Sequence, residues 1–377
     1  MIDLVCTVNK NYIQHLCATL ASVLINTNEN IHIHILNNDF LDEDKITVKH
    51  ALRRFKLAEF SFYTVEDSLL TDIQVKAEHL TIQTLYRLLV AELLPNNIDK
   101  AIYLDCDLIV EEDIRLLYNI DLEDYYVGAT CFLQFEQATK LELENVTDYL
   151  SAGVLLINLK KWRNNNFWAI CKEYALKNPE KIVYGDQDIL NGVLRGEWKK
   201  FGLEWNYTTD IPGRNDVYKY HLGPSSVNIA MKNPTIIHYI GGLKPWHAFN
   251  KHTYKSRYFH YLDQIDYTYK KFPEIDILKK KTVVLFGASV LGISTLEQLK
   301  QMNIEVHYFC DNDSSKWKKD YYSTTIISPN ELMKCRNVAI IITSMYEKEI
   351  SHQLVELGFN ENIDWFKLTK LEKLPVE

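Results

Sequence analysis

The chain has 377 residues, with 42 Lys and Arg against 50 Asp and Glu, a formal net charge of −8, 47% hydrophobic and 24% charged residues. An acidic chain of this kind has no general electrostatic attraction for nucleic acid, and its composition excludes a disordered or fibrous protein. At about 150 residues per domain, the length predicts two domains, or a large one and a small one.

Ile2, Leu4, Val5 and Val8 form a first short apolar strand, and after the turn-prone Asn9-Lys10-Asn11 the residues Ile13, Leu16, Cys17, Leu20 and Leu24 recur at helical spacing. Ile31, Ile33, Ile35 and Leu36 make a second strand, and Phe60 and Phe62 mark a third. This alternation predicts an α/β fold with a mainly parallel sheet, whose ligand crevice lies outside the carboxyl ends of the strands. The segment Cys6 to Asn11 is therefore a site candidate on position alone. A helix is expected from about Gln83 to Leu94, ending at Pro95, followed by the strand Ala101-Ile102-Tyr103-Leu104.

No apolar run approaches the roughly 20 residues of a membrane span, and Asp3 falls too early for a signal-peptide head, so a cytoplasmic protein is expected. Seven cysteines without a CxxC spacing predict reduced thiols rather than a disulfide framework or a zinc site.

The strand at 101–104 runs straight into Asp105-Cys106-Asp107. Two carboxylates one residue apart, at the point where a strand gives way to a turn, can reach the same divalent cation. Hard oxygen ligands suit Mg2+ or Mn2+, with positions left over for phosphate oxygens. By itself the tripeptide is weak, because Asp-x-Asp arises by chance in many chains and a solvated turn is the better explanation of it alone. The segment His238-Tyr-Ile-Gly-Gly-Leu-Lys-Pro-Trp246 strengthens it: it offers an imidazole ligand, two glycines that let the backbone approach an anion, and the compact charge of Lys244 for a phosphate. A third element, Asp186-Gln187-Asp188, precedes an apolar helix, and capping of that helix competes with a catalytic use for Asp188.

With these residues in view the sequence resembles the family 8 glycosyltransferases, retaining enzymes that include bacterial lipo-oligosaccharide galactosyltransferases and glycogenin. The resemblance spans about residues 1–250. It rests on Ala101 to Val110, Tyr149 to Trp162 (YLSAGVLLINLKKW), Asp186 to Asn191 (DQDILN) and His238 to Trp246, all in the family's order. It implies a GT-A fold, a nucleotide-diphospho-sugar transferase sheet of mixed strand direction with helices on both faces. It implies Asp105, Asp107 and His238 as ligands for Mn2+, with Mg2+ an alternative, on a UDP-sugar. Thr7, Asn9 and Asn11 fall where the family holds uracil and ribose, while Cys106, Ser151, Ala152, Gly241 and Lys244 complete the nucleotide-sugar contacts. Arg87 resembles the family's arginine at the donor sugar or diphosphate. Asp186 and Gln187 occupy the positions addressing the sugar hydroxyls and the face of the anomeric carbon opposite the leaving group. Three positions depart from the family pattern: Ser151 stands where Asn is common, Asn9 where close relatives often have Asp, and Phe132 where some carry a polar residue. These bear on the choice of hexose and leave the metal ligands unchanged.

Residues 250–281 are rich in Lys and Tyr, which fits either an anionic membrane surface or a solvated linker whose tyrosines pack between domains. From Thr282 a second α/β pattern begins, with Gly287-Ala-Ser-Val-Leu-Gly292 after a strand and Asp311 at about the spacing of a ribose contact. Ser289 replaces the glycine that would let the backbone approach a pyrophosphate, so tight strand-to-helix packing is at least as good a use of the two glycines.

The expected organisation is a transferase domain at 1–250, a basic and aromatic connection at 251–281 and a smaller Rossmann-like domain at 282–377. The expected activity is transfer of galactose or glucose from UDP to a hydroxyl of a surface glycan, lipid-linked saccharide or glycoprotein. Peripheral membrane contact is an accompanying expectation, and no nucleic-acid partner is expected. The rival readings are an NAD(P)-dependent oxidoreductase or epimerase built on the second domain, and a glycan-binding protein that has lost turnover.

Overall fold

The computed structural model describes residues 1–368 apart from 74, 75, 77–80, 243, 249, 251 and 270. Leu243 of the last motif, and Lys251 and Lys270 of the basic segment, lie outside the described residues. The chain divides into two compact units, residues 1–240 with 256–268, and residues 241–255 with 269–377.

The first unit is built on a seven-stranded sheet in the order β3-β2-β1-β4-β7-β6-β8. Its strands are β1 (Ile2–Thr7), β2 (Ile31–Asn37), β3 (Ala58–Thr64), β4 (Lys100–Leu104), β6 (Val127–Ala129), β7 (Val154–Asn158) and β8 (Lys199–Lys200). β1 to β4 are parallel, as the alternating strand and helix pattern predicts, whereas β7 runs antiparallel to both β4 and β6. The sheet is therefore mixed. β1 is buried along nearly its whole length, as a central strand covered on both faces should be. From β1 the chain first builds outward through β2 and β3, then returns to place β4 on the other side. This reversal opens a crevice at the carboxyl ends of β1 and β4, where Thr7 and Asp105 lie.

A second, three-stranded sheet joins β5 (Leu108–Val110), β10 (Ile236–His238) and β9 (Tyr207–Thr208) in the order β5-β10-β9. β5 and β10 are antiparallel with His238 opposite Leu108, which fixes His238 beside the acidic turn. Helix Ile13–Asn26 is buried from Ile13 to nearly its end, and its hydroxyls fasten this region. Thr19 Oγ1 donates to the carbonyls of Cys106 and Leu108 at 3.1 and 2.8 Å, and Ser22 Oγ accepts from the Val110 amide at 2.9 Å. Both sides of Asp107 are thus tied to one rigid helix. The other face of the main sheet is closed by Val5, Leu36, Tyr103, Leu155 and Ile157 packed with Leu85, Leu88, Trp162 and Phe167. Each such side chain contributes about 1.5–3 kcal/mol by leaving water.

The stretch predicted as a helix from Gln83 to Leu94 is a 3-10 helix over Ile82–Leu89, followed by one α-turn at Val90–Leu93. The tighter winding eclipses residues three apart, so Thr84 and Arg87 leave the helix on one edge and reach the same partner, Asp186.

Of the aromatic residues in the 251–281 interval, Tyr258, Phe259 and Tyr261 are buried, whereas Tyr254, Tyr267, Tyr269 and Phe272 are half-buried. Helix Lys255–Leu262 buries Tyr258, Phe259, Tyr261 and Leu262. The Tyr258 hydroxyl bonds His15 Nδ1 at 2.7 Å and Gln14 Nε2 at 2.9 Å, the Tyr261 hydroxyl accepts from Asn26 at 2.8 Å, and Arg257 pairs with Glu111 at 3.5 Å. Lys255, itself the last residue of 241–255 in the second unit, donates within that unit to the carbonyls of His247, Ala248 and Asn250. No described helix is long and apolar enough to cross a membrane.

The second unit carries a six-stranded sheet made of β11 (Thr282–Phe286), β12 (Tyr308–Cys310), β13 (Asp320–Tyr321), β14 (Thr324–Ile327), β15 (Val338–Ile342) and β16 (Trp365–Lys367). The order is β13-β14-β12-β11-β15-β16, parallel except for the β13–β14 pair. Its two fingerprint glycines are used for packing. A Cβ on Gly292 would lie 2.3 Å from the Gly287 carbonyl, and one on Gly287 would lie 2.7 Å from the Thr343 carbonyl. Asp311 is engaged internally, accepting from the amides of Ala288 and Asp313 at 3.0 and 2.9 Å and pairing with Lys316 at 2.9 Å. All seven cysteines are free.

Candidate active site

β4 ends at Leu104, and the next residue turns its carboxylate into the crevice. Asp105 is fixed by its backbone, whose amide donates to the Gly153 carbonyl at 2.9 Å, and by its Oδ1, which accepts from Tyr103 and from Arg87 at 2.9 Å each. The Thr7 hydroxyl donates to that of Tyr103 at 2.7 Å, so the end of β1 supports the same oxygen. Asp107 is held from behind by the Tyr239 amide, which donates to its carbonyl at 2.9 Å and carries β10 alongside. Cys106 between them is buried, with its thiol 3.3 Å from the Thr7 carbonyl.

This places His238 Nε2 3.1 Å from Asp107 Oδ1 and 3.9 Å from Asp105 Oδ2. On the far side of the ring, Nδ1 meets Asn206 Oδ1 at 2.9 Å, and Asn206 Nδ2 donates to Ser151 Oγ at 3.0 Å. With the Asn206 amide assigned in this orientation, its oxygen requires the proton on Nδ1, so the Nε2 lone pair faces the two carboxylates. Three lone-pair donors converging within 4.8 Å form a ligand set for a divalent cation. The residues present fit the metal that the motif implies. Gly153 makes the convergence sterically possible: a Cβ there would lie 2.3 Å from His238 Cε1, 2.7 Å from Nδ1 and 2.9 Å from Asp105 Oδ2.

Arg87 is buried beneath this triad with its guanidinium 4.4 Å from the Tyr103 ring centroid. One terminal nitrogen donates to Asp105 and the other to the Ala152 carbonyl, while Nε lies 2.7 Å from Asp186 Oδ2 and directs its proton to the Thr84 carbonyl at 3.2 Å. Burial alone would lower its pKa, but Asp105 and Asp186 outweigh this and raise it. Asp186 is 1% exposed, and burial pushes its carboxyl up to about 6, a shift that Arg87 and the Thr84 hydroxyl partly offset.

Helix Asp186–Leu194 shapes the loop before β7. Gln187 Oε1 accepts from the Ala152 amide, and Gln187 Nε2 donates to the Tyr149 hydroxyl, both at 3.0 Å. Asp188 accepts from the Tyr149 hydroxyl at 2.6 Å and from the amides of Val183 and Tyr184 at 2.7 and 2.6 Å, so its role is the structural one. Asn191 closes a backbone-like pair with Leu150, its Oδ1 accepting from the amide at 2.7 Å and its Nδ2 donating to the carbonyl at 2.9 Å. The two motifs 149–153 and 186–191 are thus one device that presents Ser151 and Ala152 beside the triad.

Asn9 caps the short turn Lys10–Tyr12 by accepting from the exposed Asn11 at 3.1 Å, beyond the carboxyl end of β1. Gly241 and Lys244 belong to the second unit. Gly241 takes φ +84°, and the Lys244 amide donates to His247 Nδ1 at 3.0 Å. Burial, with Lys244 and Lys255 nearby, lowers the His247 pKa to about 4.

The sequence pattern did not single out Asn206, which orients His238, nor Thr84, which bonds Asp186. Tyr103, two residues before Asp105, shares its face of β4, and that spacing is the one signal that could have found it.

Residues 3–250 match the sequence profile of glycosyl transferase family 8, and residues 279–363 match that of the C2185-like N-terminal domain. General stress protein A of Bacillus subtilis (strain 168) is 29% identical over 270 residues, which is 70% of this chain and 93% of that protein. The crystal structure of the galactosyltransferase LgtC in complex with donor and acceptor sugar analogues superimposes with a TM-score of 0.63 at 26% identity, covering 71% of this chain and 98% of LgtC. The glycosyltransferase GlyE of Streptococcus pneumoniae TIGR4 shares the fold across both units, with a TM-score of 0.54 at 19% identity over 97% of this chain and 90% of GlyE.

Proposed function

The chain belongs to glycosyl transferase family 8 and is a glycosyltransferase; from that premise we propose that it moves galactose or glucose from UDP to a hydroxyl of a surface glycan, lipo-oligosaccharide or glycoprotein, with retention of configuration and with Mn2+. The observation that carries the proposal is the convergence of Asp105, Asp107 and His238 within 4.8 Å from two different sheets.

Breaking the bond between the anomeric carbon and UDP leaves a diphosphate with added negative charge, so cationic groups placed there favour the transition state over the ground state. A divalent cation held by Asp105, Asp107 and His238 would supply that charge. Thr7, Asn9 and Asn11 are assigned to the nucleoside. Arg87 has its charge shared between Asp105 and Asp186, so it orients both carboxylates, one toward the diphosphate and one toward the sugar.

Gln187 is tethered at both ends of its amide, and an amide is a poor nucleophile. This favours same-face attack, in which the acceptor hydroxyl enters on the side the diphosphate leaves and gives its proton to the departing phosphate oxygen. Positive charge on the sugar ring during that exchange is met by the Asp186 carboxylate and the Gln187 carbonyl oxygen.

UDP release from a panel of UDP-sugars tests this. Turnover of UDP-galactose or UDP-glucose that EDTA abolishes and Mn2+ restores is the expected result. Absence of metal-dependent release from every UDP-hexose would overturn the proposal.

A further inference from the structure

At the opposite end of the same sheet, three more potential ligands come together. Asp3 stands at the amino end of β1, with His32 directly across from it on β2 and His34 two residues further along the same face. His34 Nε2 lies 2.9 Å from Asp3 Oδ1 and His32 Nδ1 lies 3.8 Å from it, with the two ring centroids 4.0 Å apart and their planes tilted by 38°. β1 and β4 are paired with Leu4 opposite Ile102, so Asp105 lies about four residues, roughly 13 Å, further along the strand direction. The cluster is separate from the proposed metal site of the transferase.

We propose that Asp3, His32 and His34 form a second metal site, selective for Zn2+ or a neighbouring first-row ion rather than for Mg2+ or Mn2+. Two imidazoles and one carboxylate are the ligand chemistry such ions prefer. Four-coordinate Zn2+ with bonds near 2.0–2.1 Å sets ligand atoms about 3.3 Å apart, and the observed 2.9 and 3.8 Å separations bracket that figure. Each ring is also oriented from its outer nitrogen, as metal-binding histidines are: His32 Nε2 meets Ser61 Oγ at 2.8 Å and His34 Nδ1 meets Tyr63 Oη at 3.0 Å, both hydroxyls coming from β3.

Charge supports the same occupant. Asp3 is 8% exposed, and among the described residues no Lys or Arg pairs with it. His34 is fully buried, while His32 keeps 21% of its side chain exposed, which leaves a solvent-side opening for entry and for a water as fourth ligand. An ion here would clasp β1 and β2 and, through the Ser61 and Tyr63 hydroxyls, the middle and carboxyl-terminal part of β3. Its role is structural, since Asp3 stands roughly 13 Å from Asp105 along the strand direction.

Titration of the untagged full-length chain with Co2+, followed by its visible absorption, tests the assignment. The native chain and Asp107→Ala should both take up an equivalent that gives a four-coordinate Co2+ spectrum, displaced by Zn2+. His32→Ala should weaken that equivalent at least tenfold while UDP-sugar turnover stays within twofold of native. Ser61→Ala, which keeps all three ligands, should weaken it by about tenfold through the lost outer bond and serves should His32→Ala fold poorly. Co2+ uptake that is identical in the native chain, His32→Ala and Ser61→Ala would overturn the proposal and leave the cluster as a hydrogen-bond network. Failure of the UDP-sugar assay alone would leave this result untouched.

Discussion

Replacing Gly153 by alanine adds one methyl group at the point where both sheets of the first unit meet. Its position 2.3 Å from His238 Cε1 and 2.9 Å from Asp105 Oδ2 is well inside the 3.4 Å of ordinary contact, so the imidazole must retreat by about 1.1 Å. It has nowhere to retreat cheaply, since Nδ1 is bonded to Asn206, which is itself bonded to Ser151. Protein–metal distances are held to within about 0.2 Å, and a misplacement of about 1 Å in a reacting constellation costs on the order of 100-fold in rate. Gly153→Ala should therefore cut kcat for UDP release about 100-fold and raise the Mn2+ concentration for half-maximal rate at least tenfold. Overpacking should cost about 1–3 kcal/mol of stability, leaving a folded protein in which both effects are measurable. Gly213→Ala is the matched control, because a Cβ there meets nothing within 4 Å, and it should behave as native. A Gly153→Ala enzyme with native rate and native Mn2+ dependence would refute the argument that Asp105 and His238 act on one ion.

Asn206→Ala should lower Mn2+ affinity about 10- to 100-fold, because the imidazole loses the bond that selects its tautomer, whereas Asn206→Asp should restore most of the affinity; Mn2+ titrations of the UDP-release rate report both. Asp105→Ala should abolish metal-dependent turnover and also leave Arg87 with a single carboxylate partner, so activity and melting temperature should fall together. Asp186 gives a pH prediction. Its carboxyl is raised to about 6 in the fold against about 3.8 unfolded, so the fold favours the protonated form. That stabilisation is complete below about pH 4 and is lost as pH rises through 6, a change on the order of 3 kcal/mol. The stability difference between native and Asp186→Asn should consequently shift in favour of the variant between pH 4 and 6.5, read from denaturant midpoints, and a pH-independent difference would contradict it.

Much of this was readable in the residues, for physical reasons that also mark where reading stops. β1 and β2 announce themselves by apolar runs bounded by polar turns, and the carboxyl end of a central parallel strand is a crevice by geometry alone. Asp105, Asp107 and His238 stand out because acidic and imidazole side chains are conspicuous where an apolar strand ends. Asn206 does not, because an asparagine in Leu203-Glu-Trp-Asn-Tyr207 looks like any turn residue until β9 and β10 pair beside it. Helical spacing could not reveal that 82–89 winds as a 3-10 helix, nor that this helix meets Asp186, a partner 102 residues from Thr84. The antiparallel course of β7 is likewise a property of what lies next to it and not of Val-Leu-Leu-Ile-Asn itself.

The path of the chain after β10 carries a practical consequence. Because residues 256–268 return to the first unit, a fragment stopped at residue 250, where the match to the family profile ends, would lack Tyr258, Tyr261 and Leu262. His15, Gln14 and Asn26 would then lose their hydroxyl partners, and the helix that anchors the acidic turn would show a bare, greasy flank. Anyone trimming the protein for crystallisation or expression should cut beyond residue 268, or expect aggregates in place of enzyme.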